Sequence, residues 1–353
     1  GIRALVRSRG LGDVYKRQSD NSLAFVDGGN AELIYAPNIS LHFIRTYFCV
    51  FSGKKKKKAG LFEFYALASA FSENGRVVYR AEVFPVGGGS FVEKAAEELS
   101  GTVFDSLDKS MCDGSHRMSI SRVCEAIRRF LEIQTAEHAL SLLRKGDFIV
   151  LDGTLEAAYP HESDHLERLY SAAQGNSILV SALAKTSRLF TTSGIPINYV
   201  LKSNEIFRDP WLFFPLVEIS SSNHRAEMLF VKLNKCSRHV FRFEVCRTNN
   251  LAVSLGEEDG AQGRASRKPV CKASFKPCFE PSCEPLRGAS GKDRVHSIST
   301  LLPLLSLLAR NSCDVTFPGY PYGLIDADRF ARVGDAEKAV LRAGLLAKIG
   351  KDL

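Results

Sequence analysis

The stretch Gly146-Asp147-Phe148-Ile149-Val150-Leu151-Asp152-Gly153 is an apolar run set between a helix-stopping glycine and an Asp-Gly pair. It reads as a buried strand that ends in a tight turn. The preceding segment, 119–144, places Val123, Ile127, Phe130, Leu131, Ala139 and Leu142 on one helical stripe, with Ser119 or Ser121 set to cap its start. Further upstream, Leu23-Ala24-Phe25-Val26 is a second apolar run, stopped by Asp27-Gly28-Gly29. Strand, helix, strand in that order predicts an α/β sheet, with an aspartate at the end of each buried strand.

Outward from this unit, residues 31–36, 39–51, 62–71 and 76–85 are rich in β-branched and aromatic side chains and predict a block of antiparallel strands. Gly53 and the run Lys54-Lys55-Lys56-Lys57-Lys58 fall at a hairpin tip, where five lysines read as a solvated loop before they read as a DNA contact. Toward the C-terminus the pattern predicts a helix over 162–173, strands over 178–184, 211–219, 228–233 and 240–246, a helix over 297–310 and a last helix beginning near Leu324. Residues 256–294 differ in texture: Gly, Ser, Pro, Lys and Arg dominate, as in a surface insertion. Its Cys271, Cys278 and Cys283 lack the Cys-x2-Cys spacing of a zinc site.

A chain of 353 residues suits two domains or one large α/β unit, and 45% hydrophobic with 24% charged residues is the composition of a globular protein. No apolar run reaches the roughly 18 residues of a membrane helix; the best, 298–309, is broken by Pro303. The formal net charge of +8 comes wholly from two places, the lysine run and the basic first eighteen residues (Arg3, Arg7, Arg9, Lys16 and Arg17 against Asp13), so the body is close to neutral. Residues 1–18 show no helical or strand period and resemble translated linker sequence, and they are expected to lie outside the fold. Nine cysteines without a regular framework fit a reducing cytoplasm.

The two strand-ending aspartates carry the chemical reading. A carboxylate at the C-terminal end of a buried strand sits in the crevice where open α/β sheets bind ligands. Two of them on neighbouring strands repel, and a divalent cation relieves that repulsion. The competing reading is that Asp-Gly is simply a common turn dipeptide. Between them, Glu132 lies beside the buried stripe of the helix and can reach the end of the sheet, while Glu125 and Glu137 are solvated alternatives. A further acid comes from Asp326 or Asp328, placed at the start of the last helix, with Asp328 read as the ligand and Asp326 as the cap. Three or four carboxylates around a crevice suit two-metal phosphodiester hydrolysis. No His-x3-His, His-Glu-x2-His or Gly-x-Ser-x-Gly pattern points elsewhere.

Five motifs then fall in a set order: Phe25-Val26-Asp27-Gly28; Arg128-Arg129-Phe130-Leu131-Glu132 ahead of Ala136 and Ala139; Phe148 to Leu155; Ala184-Lys185-Thr186-Ser187; and Gly319-Tyr320-Pro321-Tyr322 followed by Ala327-Asp328-Arg329. Over residues 22–333 this set resembles the NurA family of DNA-end-processing nucleases. The resemblance implies an RNase H-like α/β core related to the nuclease domain of Argonaute proteins, a mixed sheet with flanking helices, in a nuclease unit over 19–335 with a helical tail over 336–353. It implies single-strand endonuclease and 5′ to 3′ exonuclease activity with two Mn²⁺ or Mg²⁺ ions, in DNA end resection and double-strand break repair. It also implies a homodimer working with a HerA-type hexameric ATPase. Carried over by position, Asp27, Glu132, Asp152 and Asp328 would be metal ligands, Lys185 the basic group near the scissile phosphate, Arg129 a phosphate or carboxylate partner, and Tyr320 and Tyr322 an aromatic pair beside the substrate strand.

Two rivals belong to other classes. Asp27-Gly28-Gly29-Asn30 and Asp152-Gly153-Thr154 could be the phosphate loops of an actin- or sugar-kinase-like ATPase, although no Gly-rich adenosine motif appears in the second half. The other rival is a catalytically inactive nucleic-acid-binding relative.

Overall fold

The computed structural model describes residues 21–112, 114–187, 189–191, 193–203, 211–213, 226–234, 237, 239–246, 298–313 and 316–349. The expected leader, the insertion over 256–294 with its three cysteines, and the expected strand beyond Phe213 lie outside them.

The N-terminal third is a meander of long antiparallel strands, β1 (Ser22–Ala36), β2 (Ile39–Ser52), β3 (Lys55–Glu73) and β4 (Arg76–Val86). Helix α1 (Ser90–Leu99) leads to the short edge strand β5 (Val103–Asp105), and α2 (Ser121–Leu140) crosses back to β6 (Phe148–Asp152). After α3 (Glu162–Gly175) comes β7 (Leu179–Ala184), and β1, β6 and β7 run parallel side by side. A short helix α4 (Ile197–Ser203) precedes β8 (Trp211–Phe213), β9 (Ala226–Lys232) and β10 (Phe241–Cys246), of which β10 pairs antiparallel with β7. The described strands make one mixed sheet in the order β5-β4-β3-β2-β1-β6-β7-β10-β9-β8. Helices α5 (Ile298–Asn311), α6 (Tyr322–Ala331) and α7 (Asp335–Ile349) close the chain.

Helices cover both faces of the central strands. On one face Phe25, Phe51, Val150 and Phe243 pack against Leu304 and Leu308 of α5 and Leu324 and Ala327 of α6. On the other, Val26, Ile149, Leu151 and Val180 pack against Ile133 and Ala136 of α2 and Leu166 and Leu169 of α3. Strands buried on both sides must be apolar at every position, which is why β6 and the start of β1 read as continuous runs rather than alternations. Each fully buried Phe or Leu side chain contributes about 1.5–3 kcal/mol relative to exposure. Among the described residues no helix is long and apolar enough to cross a membrane.

Several sequence expectations change here. Strand β1 does not stop at Asp27-Gly28 but runs on to Ala36, and its pairing with β6 ends at Val26 while its pairing with β2 continues. The glycines serve close approach instead of a turn: a Cβ at Gly29 would collide with the Ala331 carbonyl at the end of α6, and one at Gly28 would press on the Glu132 side chain of α2. Helix α2 begins without a side-chain cap, and Ser121 meets the ring of the buried His42 instead, 3.1 Å from Nε2. Helix α6 begins at Tyr322, two residues before the expected start, because Pro321 holds the preceding backbone at φ −60° and ψ 118°. Asp326 is therefore not a cap but a mid-helix residue, ion-paired with Lys56 at 2.6 Å, and Asp328 lies in the last turn, where the helix dipole opposes a carboxylate. Only Gly53 and Lys54 form the hairpin turn, and Lys55 to Lys58 are exposed residues of β3.

Candidate active site

The parallel strands β6 and β7 end where β1 parts from β6, and Asp27, Asp152 and Lys185 sit along that line. Asp27 stands where β1 parts from β6, Asp152 is the last residue of β6, and Lys185 follows the last residue of β7. This edge is the usual ligand crevice of an open α/β sheet. Glu132 reaches it from α2, while Asp328 of α6 is near enough to raise Asp152 but does not line the cleft. A cleft of about 370 Å³ opens there, with Asp27, Glu132 and Asp152 on its floor and Arg128, Tyr159 and Lys185 among its walls.

The charges act on one another. Burial, then Glu132 and Asp152, push the Asp27 carboxyl up to about 8, although the Gly28 N–H donates to Oδ1 at 2.7 Å. Asp152 is raised by burial and by Asp328, against the pull of Lys185 and of the Gly153 N–H on its Oδ1 at 3.1 Å. Tyr320 lies within reach of the same cluster: burial first, then Asp152, Asp328 and Asp27 raise its phenol. Its hydroxyl is buried and has no hydrogen-bond partner among the described residues, and the Lys185 ammonium sits 4.9 Å from its ring centroid. Tyr322, the other half of the expected aromatic pair, turns its ring edge to Phe51 and donates its hydroxyl to the Lys54 carbonyl, so its described contacts pin the β2–β3 hairpin.

Glu132 is only 1% exposed, and both its oxygens are taken. Arg128 Nη1 donates to Oε2 and Arg129 Nη1 to Oε1, each at 2.6 Å. Arg129 also donates through Nε to Glu162 Oε1 at 2.8 Å and through Nη2 to the Thr154 carbonyl at 2.6 Å, so of the two expected roles the geometry matches the carboxylate partner. Arg128 is the more exposed guanidinium: one nitrogen bridges Glu132 and the Gly28 carbonyl at 2.9 Å, and its side chain lines the cleft. Sequence reasoning passed over Arg128, although its i,i+4 spacing to Glu132 was a usable signal. It also passed over Glu162, a charged residue at a helix start, which normally faces water.

Among the described residues no three acidic, histidine or cysteine side chains converge closely enough to hold an ion as they stand. The donor set nevertheless suits a hard divalent cation. Two carboxylates, Asp27 and Asp152, keep one oxygen each beyond the backbone bond, at a buried place whose charge is uncompensated enough to drive Asp27 up to about 8. The partnerless Tyr320 hydroxyl beside them fits the same conclusion, since a buried polar atom is normally satisfied by something.

No protein-family model matches the chain, and no curated protein matches it. Among solved structures, the chain is similar to Ciona intestinalis Endonuclease V in complex with a 24mer DNA containing an inosine followed by a ribo-adenosine, at 12% identity and TM-score 0.28, over 67% of this chain and 79% of that one. It is also similar to Aquifex aeolicus Argonaute, at 12% identity and TM-score 0.21, over 65% of this chain and 22% of that one. Both superpositions are too loose to say what this chain does. What stands on its own geometry is a mixed α/β fold with an acidic, arginine-walled cleft at the ends of its parallel strands.

Proposed function

We propose that the chain is a divalent-metal-dependent DNA nuclease of the NurA type, cutting phosphodiester bonds in single-stranded DNA and in DNA ends. The observation that supports this reading is that Asp27, Glu132 and Asp152, from three separate elements, line one cleft, with Asp328 near enough to raise Asp152. The RNase H-like core implied by the motif order is supported by the antiparallel β1–β3 meander and the parallel β6 and β7 that follow through helices. Two Mn²⁺ or Mg²⁺ ions, a HerA-type ATPase partner, a homodimer, a role in break repair and a cytoplasmic setting complete the proposal, on the motif resemblance alone.

Asp27 and Asp152 would hold the ion, with Asp328 approaching from α6 and Glu132 from α2. Bound there, a divalent cation would supply an activated water and charge neutralisation at the leaving oxygen. Lys185 meets a phosphate from the β7 side and Arg128 from the α2 side, which places the scissile group between two cations over the acids. Arg129 holds Glu132 in place, and the Tyr320 ring packs beside the Lys185 ammonium.

The ATPase alternative needs Asp27-Gly28-Gly29 as a phosphate loop, and those residues are strand paired with Tyr47, Thr46 and Arg45 of β2. The test is incubation of the chain from Ser19 onward with end-labelled single-stranded and duplex DNA in Mn²⁺, Mg²⁺ or EDTA, beside Asp27→Ala and Asp152→Ala. Metal-dependent shortening lost in both variants, with folding intact by circular dichroism, is the expected result. An inert wild type under every metal, or variants that cut as well as wild type, would overturn it.

A further inference from the structure

The segment 153–159, which follows Asp152 and walls the cleft, has no helix or strand of its own. It is fastened instead by a backbone carbonyl of β7 and by charged side chains from three further elements. From β7, the Leu183 carbonyl accepts the Gly153 N–H at 3.1 Å. From α2, Arg129 donates to the Thr154 carbonyl. From β10, two strands away in the sheet, Glu244 Oε2 accepts the Leu155 N–H at 2.7 Å, and Arg242 reaches Glu156 Oε2 at 3.0 Å. From α3, Glu162 Oε2 accepts the Ala158 and Tyr159 N–H groups at 2.7 and 3.1 Å.

Glu162 and Glu244 are the centres of this arrangement, at 1% and 0% exposure. Each spends one oxygen on the loop backbone and presents the other to a buried arginine: Glu162 Oε1 to Arg129 Nε at 2.8 Å, and Glu244 Oε1 to Arg242 Nη2. At Glu162 the ionised carboxylate, which is acceptor-only, satisfies both demands at once, while Glu244 Oε1 faces Arg242 as an ion pair with no hydrogen bond among the described residues. An amide of the same shape cannot, because its NH₂ must face either the arginine or the backbone donor. Burying two ion pairs costs desolvation that a packed apolar cluster would avoid. Their common target is seven consecutive residues next to Asp152.

We propose that Glu162 and Glu244 are positioning residues that clamp the 153–159 segment from α3 and from β10 and thereby fix Asp152 and the cleft wall. This rests on the nuclease reading for its kinetic consequence but not for its structural one. Arg129 joins the clamp to Glu132, so the α2 and β6 acids are set by one connected group of side chains.

The experiment is amide hydrogen exchange and single-turnover cleavage on the full chain carrying Glu162→Gln or Glu244→Gln. Exchange at Leu155 in Glu244→Gln, and at Ala158 and Tyr159 in Glu162→Gln, is expected to quicken at least about tenfold while Ile149 to Leu151 of β6 keep wild-type protection. The cleavage rate at saturating DNA is expected to fall about tenfold or more, with less than about a threefold change in KM. Uniformly faster exchange with activity tracking the folded fraction would make both residues ordinary structural ones and overturn the proposal, as would unchanged exchange at the three amides. If one variant fails to fold, the other carries the same prediction from its own side. If the wild type does not cut, the nuclease reading falls and the exchange data still decide the clamp.

Discussion

A carboxylate buried beside other carboxylates is more stable without its charge, and Asp27 is in that position. Its group is driven from 3.8 to about 8, so between those values the folded chain keeps a proton that the unfolded chain has released. Stability therefore falls as pH rises through that window and is least impaired near pH 4. Asp27→Asn is expected to raise Tm by about 2–5 °C at pH 8 in EDTA, to lose that gain near pH 4, and to abolish cleavage; thermal denaturation at the two pH values checks it. Millimolar Mn²⁺ is expected to raise the wild-type Tm at pH 8 and far less at pH 5, because protons compete for the same oxygens. On the cleft wall, Arg128→Gln is expected to weaken single-stranded DNA binding in EDTA and to lower the slope of log K against log salt by about 0.7, the share of one phosphate contact. An unchanged slope would mean that Arg128 serves Glu132 alone.

At the scale of elements, the site depends on how tightly α6 lies on β1. Gly29 meets the Ala331 carbonyl and Gly323 meets the Phe25 ring, with no room for a methyl group at either. Gly29→Ala is expected to cost about 1–3 kcal/mol and to displace the end of α6 that bears Asp328, read as a lower denaturation midpoint with cleavage reduced more than Tm explains. These contacts also mark where the sequence was legible. The apolar runs at 23–26 and 148–151 announced parallel strands, because burial on both faces leaves no polar position. The aspartates that end those runs, and Glu132 on the helix between them, were legible as neighbours, and all three line the cleft. The role of Gly28-Gly29 was not legible, since a close approach to Glu132, about 100 residues on, and to Ala331, about 300 residues on, leaves the same letters as a turn. Arg242 and Glu244 were not legible either. Alternating polar residues in a strand normally mark a solvent face, and here the i,i+2 pair shares one side of β10 and is buried because each neutralises the other.

For the whole molecule, α7 stands apart from the rest. None of its residues is buried, and Val340, Leu346 and Ile349 are exposed. Its described anchor is Arg45, which bridges Glu337 and Glu63. Such partly exposed pairs contribute about 0–1 kcal/mol. A chain ending after Gly334 is therefore expected to keep its circular dichroism, its Tm within about 2 °C and its cleavage of single-stranded DNA. A larger fall in Tm would show that the helix is part of the folded core.

Strand β1, among the first residues of the fold, is covered by α6, among the last, and that packing carries Asp328 toward Asp152. During synthesis a ribosome carries the first three acids long before the fourth has been translated, and α6 can dock only after it clears the exit tunnel. A chain stalled or truncated before residue 322 thus holds Asp27, Glu132 and Asp152 without the helix that bears Asp328 and packs on β1.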